Sequence, residues 1–356
     1  MAVPVEVWLS DRFLPLLYKL ARADEISQEL SEVLFAYASR DPVRLEADIR
    51  GDREFCRLAS VAPPPPRIGL LFGDAIQQLR SCLDHAVLMV LEEVRGRALD
   101  ANEARNTEFP VCRTSATFRR WTKRRSEMLP ELSEGSLLYQ RLAALQPFAA
   151  QQIDADVAVP IHDESRQLFT TPMDSDGTPL VEHHPLLGLA AWSNEDKHRR
   201  LSVAFVRPVF PRIVPVPGFP GGESAYQWHV PAGAALEPGM DIFSVEWGTR
   251  MVVDLYPYPS IRRPETGLWR PILPELNLYQ RYVAELTLPF LLTGARDAAP
   301  LPSQASTVVP LGSAAQAGML PAGYYWRSAA QQAAAAAALA ASNNRNEEMT
   351  RRFYPR

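Results

Sequence analysis

The chain has 356 residues, 47% hydrophobic and 22% charged, which is enough apolar material for one large domain or two. A net charge of −4 excludes a uniformly basic nucleic-acid-coating protein but leaves room for a local basic patch. Three cysteines (Cys56, Cys82 and Cys112) without paired spacing exclude a disulfide framework and a CxxC zinc site, and fit a reducing compartment.

The opening MAVPVEVWLSDRF has no basic segment followed by an apolar stretch, so no signal peptide is expected. No run approaches the roughly 18 apolar residues of a membrane span. A cytoplasmic protein is expected. Residues 10–39 repeat apolar side chains at three- and four-residue steps (Phe13, Leu16, Leu17, Leu20, Ile26, Leu30), which predicts a helix ended by Asp41-Pro42. The period then changes. Val43, Leu45, Ala47 and Ile49 alternate with Arg44, Glu46, Asp48 and Arg50, as in a strand with one wet face. Gly51-Asp52 makes a turn, and residues 53–61 can return as the partner strand. Pro63 to Pro66 form a stiff connector.

Residues 68–95 carry the strongest helical pattern. Ile68, Leu71, Phe72, Ala75, Leu79, Leu83, Ala86 and Val90 trace one face, and Leu88, Met89, Leu91 and Val94 widen it, which predicts a central helix stopped by Gly96. A basic helix is expected around 115–128, another around 136–147, a loop over 150–182 and a further helix over 184–199. From 201 the runs become short, β-rich and punctuated by Pro and Gly, before a last helix near 275–294. From Ala298 to Trp326 there is no charged residue, and Ala333–Ala338 is pure alanine. This composition predicts a disordered tail.

The predicted fold class is α+β. Residues 1–200 would form a helical core bearing the hairpin at 43–61. Residues 201–296 would form a β-rich module with a closing helix, and 297–356 a Pro/Ala-rich tail.

Polar residues interrupt the central helix at Asp74, Arg80, Asp84 and His85. Arg80 and Asp84 are four apart and share a face, so they can pair. His85 lies about 140° around the axis from Arg80, yet both can border one cleft because the arginine stem is long. A fixed cation beside a titratable imidazole suits chemistry on phosphate. The structural alternative is a buried Arg80–Asp84 pair with His85 hydrogen-bonded in the core. A second polar run, Asn194-Glu195-Asp196-Lys197-His198, ends the helix that enters the β region, and its cations also suit a helix C-terminus. If the two helices pack, Arg80, Asp84 and His85 would meet Asn194, Asp196, Lys197 and His198 in one cluster.

Arg80-x4-His85 resembles the Arg-x(4–6)-His motif of HEPN domains. The longer strings, Gly-Asp-Ala with Leu-Arg-Ser-x-Leu-Asp-His at 73–85 and Asn-x-Asp-Lys-His at 194–198, are similar to a group of bacterial and phage proteins. The HEPN resemblance implies a helical core, a homodimer that brings two motifs together, and metal-independent RNA cleavage through the ribose 2′-hydroxyl. In it His85 would be the acid/base and Arg80 would hold phosphate. The position after the arginine, often Asn, Asp or His in active HEPN members, is Ser81 here.

Arg119, Arg120, Lys123 and Arg124 surround Trp121 and could bind a single-stranded backbone and stack a base. Alternatively they form a solvated helix face with Phe118 and Trp121 turned inward. Asp84, His85, His183, His184, Asp196 and His198 are potential metal ligands, but no regular ligand spacing joins them, and neither metal nor cofactor is expected. Two function classes result: a metal-independent endoribonuclease of toxin or antiphage type, or a non-catalytic module. In the second, the two polar clusters hold helices together and the β-rich module or the tail meets a protein partner.

Overall fold

The computed structural model describes residues 11–40, 42–150, 184–198, 203–205, 212–215, 226–231, 234–247, 251–254 and 259–295. The loop expected at 150–182 and the Pro/Ala-rich tail lie almost wholly outside the described residues. The fold is a mixture of helices and antiparallel sheets, as the sequence pattern predicts.

Helix α1 (Leu14–Ala38) and helix α2 (Arg67–Arg95) form the centre. They run antiparallel. Arg12 meets Glu92 near one end, Lys19 Nζ donates to Ser81 Oγ at 2.8 Å, and Arg67 pairs with Glu29 near the other. The apolar face read from the sequence is buried. Ile68, Phe72, Ala75, Leu79, Leu83 and Ala86 are inaccessible to solvent, and Val90 nearly so. Val94 departs from that reading and is exposed. The helix stops at Gly96, whose φ of 66° is the left-handed conformation that glycine adopts without a Cβ clash.

Strands β1 (Val43–Arg50) and β2 (Arg53–Val61) form the expected hairpin, with Asp48 opposite Phe55. After α2 come the short helix α3 (Ala101–Arg105), the basic helix α4 (Ser115–Ser126), α5 (Leu137–Ala144), α6 (Pro147–Ala150) and α7 (Pro185–His198). Thr114 caps α4, its hydroxyl accepting from the Thr117 N–H at 3.2 Å. The single helix expected over 136–147 is divided at Leu145-Gln146.

The later strands are β3 (Val203–Phe205), β4 (Arg212–Pro215), β5 (Tyr226–Trp228), β6 (Asp241–Glu246), β7 (Met251–Asp254), β8 (Pro259–Arg262) and β9 (Trp269–Pro271). Strand β6 pairs with β2, so the hairpin and the later β region build one sheet in the order β1-β2-β6-β5. Leu58, Ile242, Phe243 and Val245 form a small core of its own on this sheet. Strands β3, β8 and β9 form another sheet that lays Ile261 and Val203 on the helical core, and β4 pairs with β7.

The closing helix begins at Ile272, earlier than its pattern suggests: α8 (Ile272–Arg281), a π-helical turn over Tyr282–Thr287, then α9 (Leu288–Thr293). The widened turn precedes Pro289, whose ring clashes with the carbonyl four residues back in a regular helix. Among the described residues no helix is long and apolar enough to cross a membrane.

Candidate functional site

Arg80 and Asp84 do pair on α2, with Nη2 to Oδ1 at 3.2 Å. Their shared target is the backbone of Phe109. Asp84 Oδ1 accepts from the Phe109 N–H at 2.8 Å, and Arg80 Nη2 donates to the Phe109 carbonyl. The Phe109 side chain is fully buried. Arg80 Nη1 is also buried and has no hydrogen-bond partner among the described residues. This geometry uses the pair to fix the backbone N–H and carbonyl of one residue, as in the structural alternative for Arg80 and Asp84. His85 differs from that alternative. It is exposed and makes no hydrogen bond among the described residues, because one further residue turns it about 100° away from Asp84.

The segment held by this pair is secured a second time. Gln146, buried between α5 and α6, accepts from the Cys112 N–H at 2.8 Å and donates to the Pro110 carbonyl at 3.0 Å. Residues 109–112 are thus pinned from both sides immediately before α4.

Helix α4 is tied to the same segment by its inner face. Arg125 Nε donates to the Asn106 carbonyl at 3.0 Å, and Glu108 accepts from both Arg125 Nη2 at 2.6 Å and Trp121 Nε1 at 3.0 Å. The Arg125 guanidinium lies 4.4 Å from the centroid of the Trp121 ring. Phe118 is buried, with Tyr139 and Phe148 against it. Arg125 thus covers one face of the Trp121 ring, and Glu108 holds the indole N–H.

Arg119, Arg120, Lys123 and Arg124 are all exposed, on two adjacent rows of α4 opposite Phe118. None is ion-paired with a described residue, and Arg119 donates only to Ser115 Oγ at 3.5 Å. No family model, curated protein or solved structure matches this chain. The site is therefore read from its own geometry.

Helices α2 and α7 touch. Trp192 meets Phe72 edge-on with ring centroids 5.2 Å apart, and Gln77 exchanges two hydrogen bonds with Ser193, at 3.0 Å to its carbonyl and 3.2 Å to its hydroxyl. Asn194 is exposed, and no hydrogen bond joins it to Arg80, Asp84 or His85. Asp196, Lys197 and His198 stand on the last turn of α7, but their side chains lie outside the described residues.

His184 precedes α7. Its Nδ1 accepts from the Leu186 N–H at 3.2 Å, and its Nε2 meets Tyr282 Oη at 3.1 Å. Burial pushes its pKa down to about 4. The amide bond requires an unprotonated Nδ1, so the proton sits on Nε2 and is donated to Tyr282. Both nitrogens are engaged, which removes His184 from the metal alternative. His183 lies outside the described residues, and no group of three potential metal ligands occurs among the described ones.

Sequence reasoning missed Glu108, Phe109 and Gln146. The first is a lone surface-type acid, the second acts through its backbone, and the third is a single buried amide. None of these roles has a spacing signature.

Proposed function

We propose that this protein binds single-stranded RNA along the outer face of α4, through Arg119, Arg120, Lys123 and Arg124. The observation that carries this reading is four exposed cations on adjacent helical rows, without carboxylate partners among the described residues, in a chain of net charge −4. A phosphate backbone matches such a ridge, and counterion release supplies most of the affinity. Arg80 and Asp84 serve the ridge as positioning residues. They fix Phe109, whose neighbours Asn106 and Glu108 hold α4 through Arg125 and Trp121.

A second reading is favoured by His85, exposed and free of hydrogen bonds to described residues. Following the HEPN resemblance, His85 would take the proton of a ribose 2′-hydroxyl. The 2′-oxygen would bond to phosphorus as the bond to the 5′-oxygen breaks, and the imidazolium would protonate that leaving oxygen. A homodimer would bring two copies of the motif to one RNA. The buried Arg80 Nη1 gives Arg80 a positioning role in this reading as well.

The two readings separate in one assay. Purified protein is incubated with labelled single-stranded RNA in EDTA. Cleavage to 2′,3′-cyclic phosphate ends, lost in His85→Ala and retained in binding by that variant, supports the nuclease. Binding without cleavage leaves the RNA-binding reading alone. Neither binding nor cleavage by the folded protein contradicts both and favours the interaction-module class.

A further inference from the structure

The hairpin leaves one strand at the rim of its sheet. In the order β1-β2-β6-β5, β1 is paired on one side only among the described strands. The direction of its backbone groups follows from its neighbours. On β2 and its turn, the Asp52 carbonyl accepts from the Trp247 N–H at 2.8 Å, and the Leu58 N–H donates to the Met240 carbonyl at 2.9 Å. The even-numbered residues of β2 therefore turn toward β6, and the odd ones turn toward β1. Arg53, Phe55 and Arg57 stand opposite Arg50, Asp48 and Glu46, so these three residues of β1 face inward along the ladder. The Pro42 carbonyl, which accepts from the Ala62 N–H at 2.7 Å, keeps the same parity at the other end. The N–H and C=O of Leu45, Ala47 and Ile49 thus point out of the sheet. This rim is accessible: Glu46, Ala47 and Arg50 are exposed, and Ile49 is 58% exposed.

An open rim of this length is a template for another strand, and its charges select which one. Arg44, Glu46, Asp48 and Arg50 run plus, minus, minus, plus along one face. Two copies of β1 paired antiparallel about Ala47 would set Arg44 against Arg50 and Glu46 against Asp48, all like charges. Moving the two-fold axis to Asp48 reverses this. Glu46 then faces Arg50 of the other copy, and Arg44 faces Asp52 in its turn. Arg44, Glu46 and Asp52 have no ion pair among the described residues. The two Asp48 carboxylates meet at the axis, but each is already neutralised within its own copy, by Arg50 at 2.7 Å and Arg57 at 3.7 Å. An axis at Glu46 would instead oppose two carboxylates that have no such cation. On the other face of the sheet, the Asp48 axis covers each exposed Ile49 with Ala47 of the other copy.

We propose that β1 pairs antiparallel with β1 of a second copy of this chain, about a two-fold axis at Asp48, and so joins two four-stranded sheets into one. Residues at equal distances on either side of Asp48 meet across such an isologous interface. Main-chain hydrogen bonds of Ala47 and Ile49 supply the attraction, and the charges set the register. One strand pair is a small interface, so the dimer forms reversibly with concentration.

The test is sedimentation velocity of the full chain over a wide concentration range, with a cysteine scan for the register. Wild type should shift from monomer to dimer as concentration rises. Ala47→Pro removes an N–H that points away from β2, so it should melt close to wild type and weaken self-association by roughly tenfold or more. Glu46→Arg, which sets like charges against Arg50 of the other copy, should also weaken it and stands in if Ala47→Pro misfolds. Paired Asp48 residues would have Cα atoms about 4.5 Å apart, within disulfide reach. Asp48→Cys should therefore give a disulfide-linked dimer under mild oxidation that wild type does not. Glu46→Cys and Ala47→Cys should not. A wild type that stays monomeric would overturn the second copy as occupant and leave the rim to a strand of another protein. A dimer that both folded variants leave unchanged would overturn the β1 interface. Cross-linking through Glu46→Cys or Ala47→Cys in place of Asp48→Cys would overturn the axis.

Discussion

Asp84 Oδ1 takes the Phe109 N–H at 2.8 Å, while Arg80, which it meets at 3.2 Å, takes the carbonyl of the same residue. Two side chains one helical turn apart thereby satisfy both backbone groups of one residue, in successive peptide units, on a separate segment. Removing either leaves the other charge and a backbone group without its partner. Because Asp84 is 36% exposed, solvent screens the pair and the loss falls below that of a fully buried one. Arg80→Ala and Asp84→Ala should each destabilise by about 1–3 kcal/mol. The double variant should cost less than the sum, since the effects overlap. Chemical denaturation of the four proteins measures this, and strict additivity would contradict the shared clasp.

His85→Ala should differ sharply from its neighbours. An exposed residue without hydrogen bonds to described residues contributes within about ±0.5 kcal/mol. A melting temperature lowered as far as in Arg80→Ala would show that His85 is structural, and would remove the second functional reading.

Gly188 is held against the Tyr279 hydroxyl, which Glu275 fixes in place. Gly188→Ala puts a methyl group into that contact. It should destabilise by about 1–3 kcal/mol even though alanine favours a helix, because the buried phenol cannot turn away. A stabilised variant would mean that α7 packs less closely there.

Acid should weaken the fold through His184. Its folded pKa is about 4, against an unfolded value of 6.5. Above pH 6.5 both states are neutral. Between those two values the unfolded chain takes up a proton that the native one refuses, so stability falls as pH falls through that window. The full shift corresponds to on the order of 3 kcal/mol. Melting temperatures from pH 7.5 to 4.5 should drop less steeply in His184→Gln than in wild type, and parallel curves would contradict the assignment.

Much of this architecture was legible because hydrophobic period reports burial directly. The hairpin at 43–61, α2 with its stop at Gly96, and the basic helix with Phe118 turned inward follow from apolar spacing alone. The four cations of α4 are legible for the same reason, since they occupy the polar rows. Long-range pairing was not legible. Nothing in REFCRLASV names β6 as its partner across nearly two hundred residues, because antiparallel pairing is set by backbone geometry common to all strands. The role of Arg80 was hidden for a related reason. Its partner is a main-chain carbonyl, and every residue has one.

The most direct measurement is fluorescence anisotropy of a labelled single-stranded RNA with wild type and with the Arg119→Gln, Arg120→Gln, Lys123→Gln, Arg124→Gln quadruple variant, at 50 and 200 mM salt. Four phosphate contacts give a salt slope near −3, so wild-type affinity should fall roughly 50-fold between the two conditions. The quadruple variant should melt like wild type, bind at least tenfold more weakly at low salt and lose most of the salt dependence. Equal affinity and equal slope in the two proteins would contradict the α4 ridge as the RNA-binding surface.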